Sequence, residues 1–176
     1  MSGSMMKTLL AIAIFGITTS SNAETLSFPS FRIEIQDGWE HSIENSPGDD
    51  SRSVISLRHP NGVGILKMGS YDAPVVVGED ILRNMTNLES SIPLTWQNWG
   101  AYSGYQYDYL ERGSFYRQWW LANERTIIFI TYQCDPESKD IETEEIDRIV
   151  RSIMTTPVLK RSEVVDIRDH NRIRGE

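Results

Sequence analysis

The sequence predicts an α+β fold: an antiparallel sheet of about six or seven strands flanked by two main helices. Three observations predict it. Apolar residues alternate with polar ones in short runs bounded by turn formers, the period of half-buried strands. Helical spacing occurs in two places, after Gly78 and before Pro157. The strands follow one another through short turns, so their pairing is antiparallel.

The elements follow in order. In "FPSFRIEIQDGWE", Phe31, Ile33 and Ile35 alternate with Arg32, Glu34 and Gln36, and Asp37-Gly38 turns the strand before Trp39. "ENSPGDDSRS" reads as a polar loop. "SVISLRHP" and "VGILKMGSY" are strands joined through Asn61-Gly62, with Pro60 lengthening the hairpin loop. "GEDILRNMTNLESS" places Ile81, Leu82, Met85 and Leu88 on one helical stripe, with Glu79 and Asp80 in the first turn and Pro93 as the stop. Three strands come next, "LTWQNWGAY", "GYQYDYLER" and "SFYRQWWLA". A fourth, "ERTIIFITYQC", turns from the third at Asn123-Glu124. It is apolar on both faces and therefore central. Ile146, Ile149, Val150 and Ile153 stand at i, i+3, i+4 and i+7, one face of a closing helix. Expected core positions are Trp39, Phe129, Ile130, Ile149 and Ile153.

The domain reading is a leader over 1–23, one α+β domain over 24–156 and a polar tail over 157–176. The leader has the marks of a secretory signal: Lys7, the apolar run Leu9 to Ile17, and the small residues Ser21 and Ala23 before a cut at Glu24. The apolar run is shorter than the about 20 residues that a spanning helix needs. "MSGS" at the start is set aside as an upstream start or cloning remnant. The expected location is the periplasm or the outside of the cell, with no stable membrane insertion after cleavage.

With 176 residues, 39% hydrophobic and 24% charged, the chain is long and apolar enough to build a core. A formal net charge of -8 argues against nucleic acid, whose phosphates need clustered Lys and Arg. Cys134 is the one cysteine, so no internal disulfide forms, and in an apolar strand it reads as packed and inert. The histidines His41, His59 and His170 offer it no adjacent base.

The search for chemistry is negative. There is no His-x-x-x-His, no Cys-x-x-Cys, no Gly-x-Ser-x-Gly elbow and no phosphate loop around Lys67. Ser103 and Asp108 have no nearby His. The acids Asp135, Glu137, Asp140, Glu142, Glu144 and Glu145 offer carboxylates to calcium without EF-hand spacing, and read as a solvated helix start. No cofactor or metal is expected, and no enzyme.

The aromatic strands carry the candidate site. In "SFYRQWWLA" alternation puts Trp119 and Trp120 on opposite faces. Trp120 is expected to be the less covered, since Tyr116 and Gln118 share its face. Trp99, Tyr116, Gln118 and Trp120 form the candidate partner-binding surface, because partly exposed Trp and Tyr anchor protein interfaces. Tyr105, Tyr107 and Tyr109 share one face of their own strand. The function expected is that of an exported, non-catalytic protein-binding module. An exported hydrolase with scattered carboxylates, or a small-ligand or lipid carrier lined by the tyrosines, are the alternatives.

"FRIEIQDGWE" resembles the strand-then-Gly-Trp opening of PsbP-like domains. "YRQWWLANERTIIFITYQC" resembles their paired late strands, and "EIDRIVRSI", with Ser152-Ile153, their closing helix. The resemblance runs from about Phe28 to Met154. It implies an α/β/α sandwich and a non-enzymatic binding role. The family's members include the extrinsic photosystem protein, the Ran-binding Mog protein, periplasmic DcrB-like proteins, and immunity or chaperone proteins of type VI secretion. An immunity or periplasmic accessory role is its sharpest implication.

Overall fold

A computed structural model describes residues 23–46 and 49–156. The expected signal segment before Ala23 and the expected tail after Thr156 lie outside the described residues.

Two sheets form. The larger has seven strands, all antiparallel, in the order β3-β4-β5-β9-β8-β7-β6. Its strands are β3 (Glu40–Ser46), β4 (Asp49–Arg58), β5 (Gly64–Asp72), β6 (Gln97–Trp99), β7 (Tyr102–Glu111), β8 (Ser114–Asn123) and β9 (Thr126–Cys134). The smaller sheet, order β1-β2-β10, joins β1 (Glu24–Ser27), β2 (Phe31–Ile35) and β10 (Met154–Thr155). The helices are α1 (Glu79–Met85) and α2 (Thr143–Arg151).

The structure departs from the sequence expectation at several points; among them, of the expected strand "LTWQNWGAY" only Gln97–Trp99 is extended before a turn at Gly100-Ala101. The segment read as a polar loop supplies the end of β3 and the start of β4, because an edge hairpin carries polar residues without penalty. The strand at Phe31–Ile35 does not join the large sheet; it pairs with β1 and β10, both too short to show a period. Helix α1 ends at Met85, well before Pro93, where the Thr86 hydroxyl donates to the Arg83 carbonyl and Asn87 turns left-handed at φ 55°. Leu88 therefore lies beyond the helix, and Ile81 points outward at 42% exposed. The β8–β9 turn pivots one residue later than expected, on Glu124-Arg125 between the paired Asn123 and Thr126.

The front of the large sheet is closed by α2 and the small sheet. Ile55, Leu57, Leu66, Met68, Ile128, Ile130 and Trp119 from the large sheet meet Ile33, Ile35, Ile146, Ile149 and Ile153 in one cluster. Helix α2 turns the expected stripe inward, with acids in its first turn and Arg148 and Arg151 in its last, as the helix dipole favours. Ser152 then ties helix to small sheet: its hydroxyl accepts from the Glu34 amide at 2.9 Å and donates to the Ile149 carbonyl at 2.7 Å. Ile149 is 1% exposed. Ile149→Ala is therefore expected to destabilise by about 2–5 kcal/mol, read as a lower urea midpoint at constant slope. An unchanged midpoint would refute the docking of α2.

The back is covered at one end only. Leu82 of α1 packs on Ala73, Val77, Tyr105, Ala122 and Ile127. A helix of seven residues is only about 10 Å long. Seven strands span about 30 Å. Much of the back face therefore has no helix over it.

Candidate functional site

The expected site residues divide between the two faces. Trp119 is fully buried on the front. Trp120, its neighbour, is half-buried on the back. Tyr116, Gln118 and Trp120 stand in a row on β8, opposite Tyr109, Tyr107 and Tyr105 of β7.

Trp99 does not join them. It pairs with Tyr102, which belongs to the front, and it is 2% exposed. Its ring meets Trp119 edge-on at 6.0 Å, and the Arg151 guanidinium lies 4.3 Å from its centroid. The cause is the β6–β7 turn. Gly100 takes φ 62°, and Ala101 donates to the Ile153 carbonyl at 2.8 Å, so the turn is pulled against the end of α2. A side chain at position 100 would strike that same carbonyl. A three-residue strand has too little period to reveal this phase. Phe129, expected in the core, is also displaced: it is half-buried on the back, tilted against Trp120 with centroids 4.5 Å apart.

What replaces Trp99 is a pair of tyrosines. Trp120 Nε1 donates to the Tyr107 hydroxyl at 3.3 Å, and Tyr107 donates to Gln118 Oε1 at 2.6 Å. Gln118 Nε2 donates onward to the Tyr109 hydroxyl at 2.9 Å. Tyr109 stacks on Tyr116 with centroids 5.0 Å apart and planes within 11°. The result is an ordered strip: Trp120, Tyr107, Gln118, Tyr109, Tyr116. All five side chains are half-buried. Burial pushes the Tyr107 and Tyr109 hydroxyls up from their ordinary range, so both are neutral and protonated at physiological pH. The signal for Tyr107 and Tyr109 was present in the sequence as alternation; their pairing with β8 was not. Tyr105 leaves the strip because it is 3% exposed beneath α1, bonded to Glu79 and edge-on to Trp96.

The candidate catalytic groups are buried or bonded elsewhere. Cys134 is free and 6% exposed, and burial pushes its thiol up. A nucleophilic cysteine needs the opposite shift. Cys134 and His59 line one cavity of about 440 Å³, but His59 packs edge-on against Trp39 and accepts from the Asn61 amide. Ser103 donates to Asn98, and Asp108 forms a bidentate pair with Arg117, both contacts at 2.9 Å. Of the acid run, Glu142 turns inward, 5% exposed. It accepts from the Gly64 amide and the Tyr132 hydroxyl. Among the described residues no three His, Cys, Asp or Glu side chains come together as a metal site.

A second cavity, about 580 Å³, lies where the small sheet meets the β8–β9 turn. Asp72, Glu124, Asn123 and Tyr102 line it, and Tyr102 is pushed up to about 12 by burial and then by Asp72. A hydrolytic pair needs one carboxyl tuned upward to act as acid. Asp147, which burial pushes up, is not among its lining residues; it faces Arg117 and Arg151 instead. Among the described residues no helix is long and apolar enough to cross a membrane.

No family model matches the chain, and no curated protein matches it. Among the solved structures that are similar to it are two that differ in origin. One is the solution structure of cyanobacterial PsbP (CyanoP) from Synechocystis sp. PCC 6803, at 12% identity and TM-score 0.54, covering 80% of this chain and 96% of that one. The other is a crystal structure of a protein from Bacteroides thetaiotaomicron VPI-5482, at 12% identity and TM-score 0.53. That match covers 72% of this chain, which spans 45% of the Bacteroides protein. The fold is PsbP-like: α+β, with a seven-stranded antiparallel sheet, a three-stranded sheet and two helices.

Proposed function

We propose that this chain is an exported, non-catalytic protein-binding module that docks its partner on the open back face, through Trp120, Tyr107, Gln118, Tyr109 and Tyr116. The observation that carries the reading is the aromatic strip, in which hydrogen bonds hold Trp120, Tyr107 and Tyr109 and stacking on Tyr109 holds Tyr116 at a half-buried surface before any partner arrives. Rings held this way lose little entropy on binding, which is how aromatic anchors contribute most of an interface's energy. The burial of Cys134 and the hydrogen bonds of Ser103 and Asp108 favour binding over catalysis. Export rests on the leader and its small residues before Glu24. Within this reading, an immunity protein or a periplasmic accessory factor is the sharpest role, and the likeness in fold to PsbP is compatible with an accessory role.

Trp120→Ala tests it. Trp120 is partly exposed, so its truncation costs less than the about 3–5 kcal/mol of a buried Trp. The variant should stay folded by circular dichroism, yet fail to retain the partner that the wild-type chain co-purifies from the periplasmic fraction. Equal recovery of that partner would overturn the choice of face. Absence of the chain from that fraction would overturn export.

A further inference from the structure

The two edges of the large sheet are not alike. At one, β3 shifts register between Asn45 and Ser46 and exposes the charges of Glu40 and Glu44, devices by which sheet edges refuse further strands. At the other, β6 pairs with β7 only from Tyr102 to Gly104. From Tyr105 to Glu111 the outer side of β7 has no neighbouring strand among the described residues, while its inner side runs in unbroken register along β8.

The turns at the ends of β7 fix which backbone groups point outward. Arg112 and Gly113 have φ of 50° and 82°, the two-residue turn whose flanking residues bond to each other. Glu111 therefore turns its N–H and C=O toward Ser114 of β8. This direction alternates along a strand. Tyr109 and Tyr107 thus also bond to β8, and Leu110, Asp108 and Gln106 direct their N–H and C=O away from it. The β6–β7 turn gives the same phase, since Tyr102 faces Trp99 across it and is an even number of residues from Leu110.

Both surfaces beside this edge have room for side chains. On the front, Leu110 is 69% exposed and lines a hollow of about 250 Å³ with Phe115 and Pro136. On the back are the rings of Tyr107 and Tyr109, 6.1 Å apart. An extended chain offers what both need: N–H and C=O groups at strand spacing, and side chains that alternate between the two faces. A helix has already spent its backbone groups on itself.

We propose that the outer edge of β7, from Gln106 to Leu110, takes an extended segment of the protein partner as an added strand of the large sheet, with one apolar side chain in the hollow beside Leu110 and the next against Tyr107 and Tyr109. The proposal rests on the protein-binding reading above and adds the form of the bound segment and where it enters.

The test is amide hydrogen exchange of the full chain, read by NMR. In the free protein the amides of Gln106, Asp108 and Leu110 should exchange much faster than those of Tyr107 and Tyr109 between them. Equal protection would mean that the edge is already covered, by a second copy or another part of the chain, and would overturn the proposal. The probe is a capped peptide, Lys-Val-Thr-Val-Thr-Val-Lys, strand-forming and basic toward a chain of net charge -8. It should slow exchange at Gln106, Asp108 and Leu110, and the same peptide with every amide N-methylated should not. Leu110→Pro removes one outward N–H and leaves the ladder to β8 intact, so it should weaken binding about ten-fold. Leu110→Ala keeps that N–H and should weaken it less. No protection at millimolar peptide, equal protection by the methylated peptide, or unweakened binding by folded Leu110→Pro would each overturn the proposal. Should Leu110→Pro fail to fold, the methylated peptide decides. The two readings fail separately. If Trp120→Ala loses its partner but the peptide protects no outward amide, the strip stands and the edge falls. If the peptide protects those amides but Trp120→Ala keeps its partner, the edge stands and the strip falls.

Discussion

Trp119→Ala is expected to be among the most damaging single changes in this chain, costing about 3–5 kcal/mol. Trp119 is fully buried at the centre of the front face, between Gln106 of β7 and Ile130 of β9 in the sheet register. Its indole also supports Trp99 edge-on, and through Trp99 the contact with Arg151 at the end of α2. Truncation opens a ring-sized void that rigid neighbouring strands cannot close. A domain of this size is typically stable by about 5–15 kcal/mol, so the loss is a large share of the total. The check is urea denaturation of Trp119→Ala and Trp120→Ala side by side. The first should lose about 3–5 kcal/mol and the second much less. The reverse order would mean that the two faces are exchanged. Trp119→Phe should fall between them, because it keeps most of the apolar bulk and removes an indole N–H that has no partner.

The second large effect is expected at Glu142. Its carboxylate accepts from the Gly64 amide at 3.0 Å and from the Tyr132 hydroxyl at 2.9 Å. Gly64 opens β5, Tyr132 sits in the central strand, and Glu142 is the residue just before α2. One side chain thus fastens a hairpin, the sheet and a helix start together. Burial and the bond to Glu142 also push the Tyr132 hydroxyl upward, so it stays a donor across physiological pH. Glu142→Ala leaves two donors without a partner, at about 1–3 kcal/mol each. The midpoint should fall accordingly, and hydrogen exchange at the Gly64 amide should accelerate. Glu142→Gln keeps an acceptor oxygen and should lose less. If Glu142→Ala leaves both midpoint and exchange unchanged, the contact contributes nothing.

Glu142 also illustrates what sequence reading can miss. In the sequence it is one of six acids at a helix start, and Glu144 and Glu145 are exposed in the first turn of α2. Nothing local distinguishes Glu142 from them. Its inward turn depends on Gly64 and Tyr132, 78 and 10 residues away in the chain.

The alternation in "TIIFITYQC" and "SFYRQWWLA" and the helical stripe at Ile146, Ile149, Val150 and Ile153 were legible because period is a local property: side-chain direction follows from backbone dihedrals alone. From it follow the fold class, the central place of β9 and the opposite facing of Trp119 and Trp120. Tertiary structure decided the rest. It set the phase of β6, and so sent Trp99 to the front. It built the smaller sheet from strands of four, five and two residues. These outcomes share one physical reason. A strand's period says which residues face together, but which face is covered depends on what packs there, and that is settled by contacts between segments far apart in sequence.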